Sequence, residues 1–344
     1  MSASLFRSVF GQLPPVARRD ERIAKLDRRI AKLKRRVDEL GDENIRLEQQ
    51  LASGEQLTRP SYRARIHEGR RLRALGVEMG VPSTSVIRHG KFYVYDFARS
   101  HGFDVPEQFG RWDDPADIAW NDLPDLVVIK SAHSTASRGV FPLRRTGAGW
   151  EAITHDTVMT IEELTATLND VVEKGRAKLP FAAEEFLDQD GSGGRMPIDV
   201  RALTFYGEVH LVALRRPLEH GNTRTTSWRY VDRSGADVLD RHPSLVVDQT
   251  IPVPTALDEL CEGASRLSVA IRAPFSRIDM YQVGDRTIFG EVTPRPGGPQ
   301  WFGREVDVKL GEAWERALIR LARHVAGGMS PEPEFGPVRD TEHR

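Results

Sequence analysis

Ser276-Arg-Ile-Asp-Met-Tyr281, the Gly284-Asp285 turn signal and Thr287-Ile-Phe-Gly-Glu-Val-Thr-Pro-Arg-Pro-Gly-Gly298 decide the fold. Two apolar runs around a glycine-containing connection read as a β-hairpin. Asp279 and Glu291 lie inside the runs, not at their ends. A three-residue connection, Gly284 to Arg286, places Asp279 opposite Glu291 on one face, with Cβ atoms about 4.5–5.5 Å apart. A two-residue turn sets Asp279 opposite Gly290 instead and separates the carboxylates. Two carboxylates that close repel each other unless one is protonated or a cation lies between them. Magnesium, a hard ion that prefers oxygen ligands and substrate phosphates, is the natural occupant. A carboxylate pair on a solvated face is the alternative reading.

Upstream, Asp125-Leu-Val-Val-Ile-Lys130 is a short apolar strand ending in a lysine. The small polar stretch Ser131 to Gly139 and a second strand, Val140 to Leu143, follow. Amides and hydroxyls of such a loop can close over phosphates while the lysine supplies a point charge. An ordinary surface hairpin has the same composition. Phe181-Ala-Ala-Glu-Glu-Phe-Leu187 is a strand running into Asp188-Gln-Asp-Gly-Ser-Gly-Gly194, and Pro197 to Phe205 is another, turning at Tyr206-Gly207. Two acidic residues beside Phe186 are costly to bury and face either water or a ligand.

The succession of Lys130 before a small-residue loop, Glu184-Glu-Phe-Leu187, Asp199-Val-Arg201, Arg277-Ile-Asp279 and Glu291-Val-Thr293 resembles the ATP-grasp superfamily, from about Val105 to Trp314. Leu123-Pro124, Gly290-Glu-Val-Thr293 and Val306-Asp-Val-Lys-Leu-Gly-Glu312 are most similar to its teichuronopeptide-biosynthesis (TupA-like) type. The resemblance implies an α+β ATP-grasp fold, two subdomains clasping a nucleotide. It implies ATP and Mg2+ as cofactors and a carboxylate-amine ligase working through an acyl phosphate, with small-molecule or cell-surface-polymer substrates.

Carried over by position, the resemblance makes Lys130 a phosphate contact and Ser131 to Gly139 a lid, with Ser134 and Ser137 touching phosphate. Glu184, Glu185, Phe186 and Leu187 line the adenine, and Asp190 or Asp188 meets the ribose. Asp279, Glu291 and Thr293 become metal ligands, Thr293 standing where many members carry asparagine. Arg201 takes a position often held by lysine. Arg277 and Arg295 hold phosphate or the substrate carboxylate, which suits planar bidentate guanidinium groups. The alternatives are a nucleotide-binding or inactive scaffold and a phosphotransferase acting on a hydroxyl, which needs a general base near the γ-phosphate.

Length and charge set the outer bounds. The 344 residues suffice for roughly two domains. With 49 Lys+Arg against 50 Asp+Glu the net charge is -1, so nothing in the balance calls for nucleic acid as a partner. The one cysteine, Cys261, excludes an internal disulfide, fits a reducing cytoplasm, and falls at a core position with Leu257, Leu260, Ala264 and Leu267. The ten histidines show no metal-ligand spacing, although His133 lies in the lid. Trp228, Arg229 and Arg224 either shape an acceptor pocket or pack as an ordinary loop. No run reaches the length of a membrane span.

Residues 21–53 read as a coiled coil: Ile23, Ile30, Val37, Asn44 and Leu51 recur at a, and Leu26, Leu33, Leu40 and Leu47 at d. β-branched a and leucine d positions favour a homodimer, and Asn44 suits parallel register. The basic residues Arg29, Lys34 and Arg36 before the acidic Glu43 and Glu48 suit antiparallel pairing, so orientation stays open. Gly54 and Pro60 mark a boundary. Residues 1–20 read as a flexible N-terminus, 60–124 as an N-terminal α/β region, 125–326 as the ATP-grasp domain and 327–344 as a flexible tail. Helices are expected from Tyr62 to about Leu75 and from near Tyr95 to Gly102.

Overall fold

A computed structural model describes residues 23–37, 39–41, 43, 59–81, 85–86, 90–132, 139–153, 157–192, 195–217, 226–240, 246–294 and 302–338. The chain divides into two compact units between Arg59 and Pro60. In the first, helix α1 covers residues 23–37 and 39–41. Its heptad residues Ile23, Leu26, Ile30, Leu33, Val37 and Leu40 are all exposed; Asn44 lies outside the described residues.

The second unit holds two antiparallel sheets. Strands β1 (Gln108–Trp112), β2 (Leu126–Ser131), β3 (Val140–Thr146), β4 (Gly149–Ala152), β5 (Thr157–Met159) and β6 (Phe181–Glu185) form the first, in the order β1-β6-β2-β3-β4-β5. Alternation in β2 buries Val127 and Ile129 with Leu143, Trp150 and Phe181 against helix α4 (Ile161–Glu173), leaving Val128 and Lys130 on the opposite face. A capping box between Thr160 and Glu163 starts α4. In the edge strand β1, Gly110 and the flanking tryptophan and aspartates hide the strand pattern, and pairing with β6 supplies it.

Strands β7 (Asp199–Phe205), β8 (Glu208–Arg216), β9 (Ser227–Val231), β10 (Ser276–Val283) and β11 (Arg286–Thr293) form the second sheet, in the order β11-β10-β7-β8-β9. One face, with Val200, Ala202, Val212, Leu214, Ile278 and Met280, packs on helices α3 (Lys91–Ser100) and α5 (Leu257–Ile271). The other face changes character along its strands. At one end Leu203, Phe205, Leu211 and Ala213 lie under α2 (Tyr62–Glu78) and α6 (Arg304–Ala326), with Tyr62 edge-on to Phe205 and Phe275. Two residues back along the same strands, the period of one face, stand Arg201, Arg215 and Arg277.

The hairpin reaches the expected pairing by a different route. Its turn has two residues: Val283 pairs with Arg286, and Gly284 takes φ +58°. The parity then changes between Asp279 and Met280, because Gly290 is inserted as a β-bulge and Asp279 faces Glu291 after all. A Cβ on Gly290 would lie 2.6 Å from the Tyr281 ring and 3.1 Å from the Asp279 carbonyl oxygen, so only glycine fits.

Helices α2 and α3 run longer than expected, α3 beginning four residues earlier at Lys91. Within the segment expected to be a flexible tail, residues 327–338 make ordered bonds: Gly336 N and Val338 N donate to Ser100, and Glu334 N donates to the Ala270 carbonyl. Phe335 and the backbone donors, not composition, decide its placement.

Gly290→Ala forces the Tyr281 ring or the bulge to move. We expect a loss of about 1–3 kcal/mol in urea unfolding; an unchanged midpoint would show that the bulge tolerates a side chain.

Candidate active site

Lys130 leaves the first sheet on the face opposite its core. It pairs with Ala182 across β6, which makes Glu184 its diagonal neighbour on that face. Its ammonium forms an ion pair with Glu184 and donates to the Tyr95 hydroxyl at 2.7 Å. The Tyr95 hydroxyl in turn donates to the second Glu184 oxygen at 3.1 Å. All three groups are largely buried, and burial pushes the Tyr95 hydroxyl well above its usual range.

On the second sheet, alternation puts Arg277, Asp279 and Tyr281 of β10 on one face with Glu291 and Thr293 of β11. The Arg277 fork binds Asp279 bidentately, Nε and Nη2 each 2.6 Å from a carboxylate oxygen. The same Nη2 donates to Glu291 at 3.2 Å and to Thr293 Oγ1 at 2.9 Å. Repulsion within the carboxylate pair is therefore relieved by a guanidinium of the chain itself. Arg201 Nε stands 3.5 Å from Asp279, and Arg201 also shares Asp199 with Arg215, at 2.7 and 2.8 Å. Its guanidinium lies over the Trp228 ring at 5.5 Å.

Burial pushes the Asp279 carboxyl up, and Glu291 adds to that push against Arg277 and Arg201. Burial raises Asp199, but there and at Glu291 the cations win and both carboxyls fall below their ordinary range: Arg277, Arg201 and Lys91 act on Glu291, and Arg201 and Arg215 on Asp199.

Helix α3 reaches both sheets, since Tyr95 bonds Lys130 and Glu184 while its ring stands edge-on to Phe289 of β11, and Lys91 begins the same helix. Burial, helped by Lys130, lowers the Lys91 ammonium to about 8. The sequence reading missed Lys91 because it began this helix near Tyr95. The available signal was Gly90 and Gly102 bracketing an amphipathic run.

Asp279, Glu291, Thr293, Arg277 and Arg201 thus converge, as do Lys130 and Glu184. Other residues sit elsewhere. Glu185 binds Arg286 at 2.8 Å and the Glu107 amide at 3.2 Å. Phe186 and Leu187 are buried. Asp190 accepts from the Ser192 amide at 3.1 Å in an exposed loop, and its bonds to Ser192 hold its carboxyl below the usual range. Arg229 is engaged with Asp237 at 2.8 Å. Cys261 is buried in the α5 core, and burial pushes its thiol up to about 11. Ser134, Ser137, His133, Arg224 and Arg295 lie outside the described residues.

The donor set fits magnesium held together with a nucleotide. Asp279 and Glu291 present oxygens in register beside Thr293 Oγ1, and magnesium commonly takes one or two carboxylates plus substrate phosphates. Among the described residues no group of three His, Cys, Asp or Glu side chains forms a self-sufficient cage.

The TupA-like ATP-grasp family model matches residues 83–315. The chain belongs to that family. A comparison with curated proteins gave no match. Among solved structures, D-alanine–D-alanine ligase from Bacillus anthracis is similar at 15% identity over 74% of this chain and 76% of that one, TM-score 0.43. The Coxiella burnetii D-alanine–D-alanine ligase is similar at 10% identity over 70% and 60%, TM-score 0.41. The ATP-grasp ligase PsnB, complexed with a phosphomimetic variant of a minimal precursor, Mg and ADP, is similar at 13% identity over 67% and 58%, TM-score 0.38.

Two outcomes follow from the charges of this ATP-grasp site. Asp279→Asn leaves the buried Arg277 without its bidentate partner, so the melting temperature should fall, by the equivalent of about 3 kcal/mol; a rise would mean that carboxylate repulsion dominates. Lys91 is charged below about pH 8 in the folded chain but up to about 10.5 when unfolded. The unfolded state therefore holds the extra proton between those values, and the cost of burying Lys91 fades as pH rises through that window. Thermal melts of the wild type should gain on those of Lys91→Met from pH 8 to 10; parallel curves would refute the lowered ammonium.

Proposed function

We propose that this chain is an ATP- and magnesium-dependent carboxylate-amine ligase that works through an acyl phosphate, in the synthesis of a bacterial cell-surface polymer. Family membership supports the ATP-dependent ligase class. The observation that carries the finer reading is the single cluster of Arg277, Asp279, Glu291 and Thr293, together with Lys130 and Glu184, which Tyr95 of α3 bonds while packing on Phe289 of β11.

In this reading Lys130 is a fixed positive charge for the nucleotide phosphates. The Glu184 carboxylate is committed to Lys130 and Tyr95, so the adenine meets the backbone and apolar side chains that follow, Glu185 to Leu187. Asp279, Glu291 and Thr293 would hold magnesium, whose charge offsets that of the transferring phosphoryl group. Arg201 orients the substrate carboxylate, while Arg277, occupied by Asp279 and Glu291, keeps that pair in place. One of its oxygens attacks the γ-phosphorus and the bond to ADP breaks. The amine then attacks the acyl carbon, phosphate leaves, and the nitrogen gives up a proton. Water must be excluded between the two steps, because it competes with the amine. Arg295, Ser134 and Ser137 belong to the loops assigned to phosphate and to closure.

The exposed heptad stripe of α1 supports a homodimer formed through that helix, with the cytoplasm as the proposed site of action. A monomer by light scattering at micromolar concentration would end the dimer proposal.

ADP release separates this reading from its alternatives. Release should require a carboxylate and an amine together and fall at least a hundredfold in Glu291→Gln, about the loss of one charge-stabilising group. Release driven by a hydroxyl compound alone would indicate a phosphotransferase, and nucleotide binding without release under any acceptor would indicate a scaffold.

A further inference from the structure

Lys130 reaches its place with help from outside the two sheets. Tyr95 comes from α3, whose buried residues Val94, Phe97 and Ala98 belong to the core of the second sheet. Its ring stands edge-on to Phe289 of β11 at 6.2 Å, while its hydroxyl sits between Lys130 and Glu184 of the first sheet. The Lys130 ammonium also lies 5.2 Å from the centre of the same ring. One side chain thus touches both sheets. An ammonium carries three donors. Glu184 takes one and Tyr95 a second, and among the described residues the third has no bond. The Tyr95 hydroxyl also donates to Glu184 Oε2, while the ammonium pairs with Oε1 of the same carboxylate.

The far side of α3 is held by the end of the chain. Phe335 packs edge-on against Tyr93 and Phe97, with ring centres 5.2 and 5.5 Å apart. Gly336 N donates to Ser100 Oγ at 2.9 Å, Val338 N to the Ser100 carbonyl at 3.1 Å, and the His101 ring bonds the Glu334 carbonyl at 2.9 Å. Gly336 is required there, since a Cβ would lie 2.0 Å from the Ser100 carbonyl oxygen. Arg272, at the left-handed end of α5 with φ +57°, binds the carbonyls of Ser330 and Glu332 and the Glu334 carboxylate, fixing the near end of this segment.

We propose that Tyr95 is a positioning residue for nucleotide binding. Its hydroxyl holds the Lys130 ammonium with one donor directed at phosphate, and the strap of residues 330–338 holds Tyr95 in place through α3. The inference rests on Lys130 being a phosphate contact. It assigns a role in the nucleotide site to residues 330–338, which lie beyond the part of the chain matched by the family model.

The test is a thermodynamic cycle in the full chain with Mg-ATP as the probe. Tyr95→Phe keeps the ring and removes only the hydroxyl. It should raise the calorimetric Kd for Mg-ATP about tenfold, the worth of one hydrogen bond to a charged group. Phe335→Ala changes a residue still 42% exposed, so the chain should stay folded, and should raise Kd about threefold. If the strap acts through Tyr95, the double variant should bind like Tyr95→Phe alone, because the hydroxyl being positioned is already gone. A Tyr95→Phe chain that binds as tightly as wild type overturns the role of Tyr95. Multiplying effects in the double variant overturn the action of the strap through it. A wild-type chain that binds no Mg-ATP overturns the nucleotide reading of the whole site and this inference with it.

Discussion

A guanidinium buried between two carboxylates is the constraint on which the rest of this structure depends. Arg277, 7% exposed, would be prohibitively costly to bury alone. Its fork is matched by Asp279 two residues along the same strand and by Glu291 and Thr293 on the next strand. The match requires all four side chains on one face, which requires Asp279 to pair with Glu291. A tight two-residue turn alone gives the opposite parity, and the bulge at Gly290 corrects it. The turn, the bulge and the cluster therefore specify one another: a residue larger than glycine at 290 shifts the register, and a shifted register strands a buried cation.

The same face explains why a charged site and a hydrophobic core coexist on one sheet. β7 carries Asp199 and Arg201, then Leu203 and Phe205, all on one side. β8 runs from Leu211 and Ala213 to Arg215, and β10 adds Arg277 and Asp279. Helices α2 and α6 cover the apolar end, where the Tyr62 cluster excludes water. At the other end the arginines and carboxylates neutralise one another, so the strands stay continuous there with charged side chains buried. Lys130 and Glu184 repeat this logic on the first sheet, a cross-strand ion pair behind which Val127 and Ile129 are fully buried.

Much of this was legible because β-structure has a period of two and its polar residues broke the apolar runs. Asp279 and Glu291 inside apolar strands, and Lys130 at the end of one, are conspicuous for that reason, and their order along the chain carried the family resemblance. The bulge was not legible: a glycine in a strand signals a close approach or a bulge without saying which. Arg277 was read as a group for substrate, and only the structure shows it committed to the carboxylate pair. Tyr95 and Lys91 were missed for a more general reason. Both lie on a helix whose amphipathic pattern accounts for them locally, Tyr95 as a core aromatic and Lys91 as a first-turn lysine. Their partners are 35 or more residues away in sequence, and only tertiary packing brings them together.

Buried ion pairs are weak evidence of stabilisation, because well-packed apolar residues of the same volume often serve as well or better. The second sheet places Asp199, Arg201, Arg277 and Asp279 within one charged cluster, each with a side chain no more than 14% exposed. Stability alone gives no reason for this choice, since Leu203, Phe205 and Leu211 fill the equivalent positions at the other end of the same face. What charge supplies and apolar packing cannot is a set of dipoles and ions already oriented before a charged ligand arrives, so that little reorganisation is needed when it binds. In that light Arg277 has two functions that share one geometry. It makes the carboxylate pair tolerable in the free protein, and it ties an oxygen of each carboxylate to one nitrogen, Nη2.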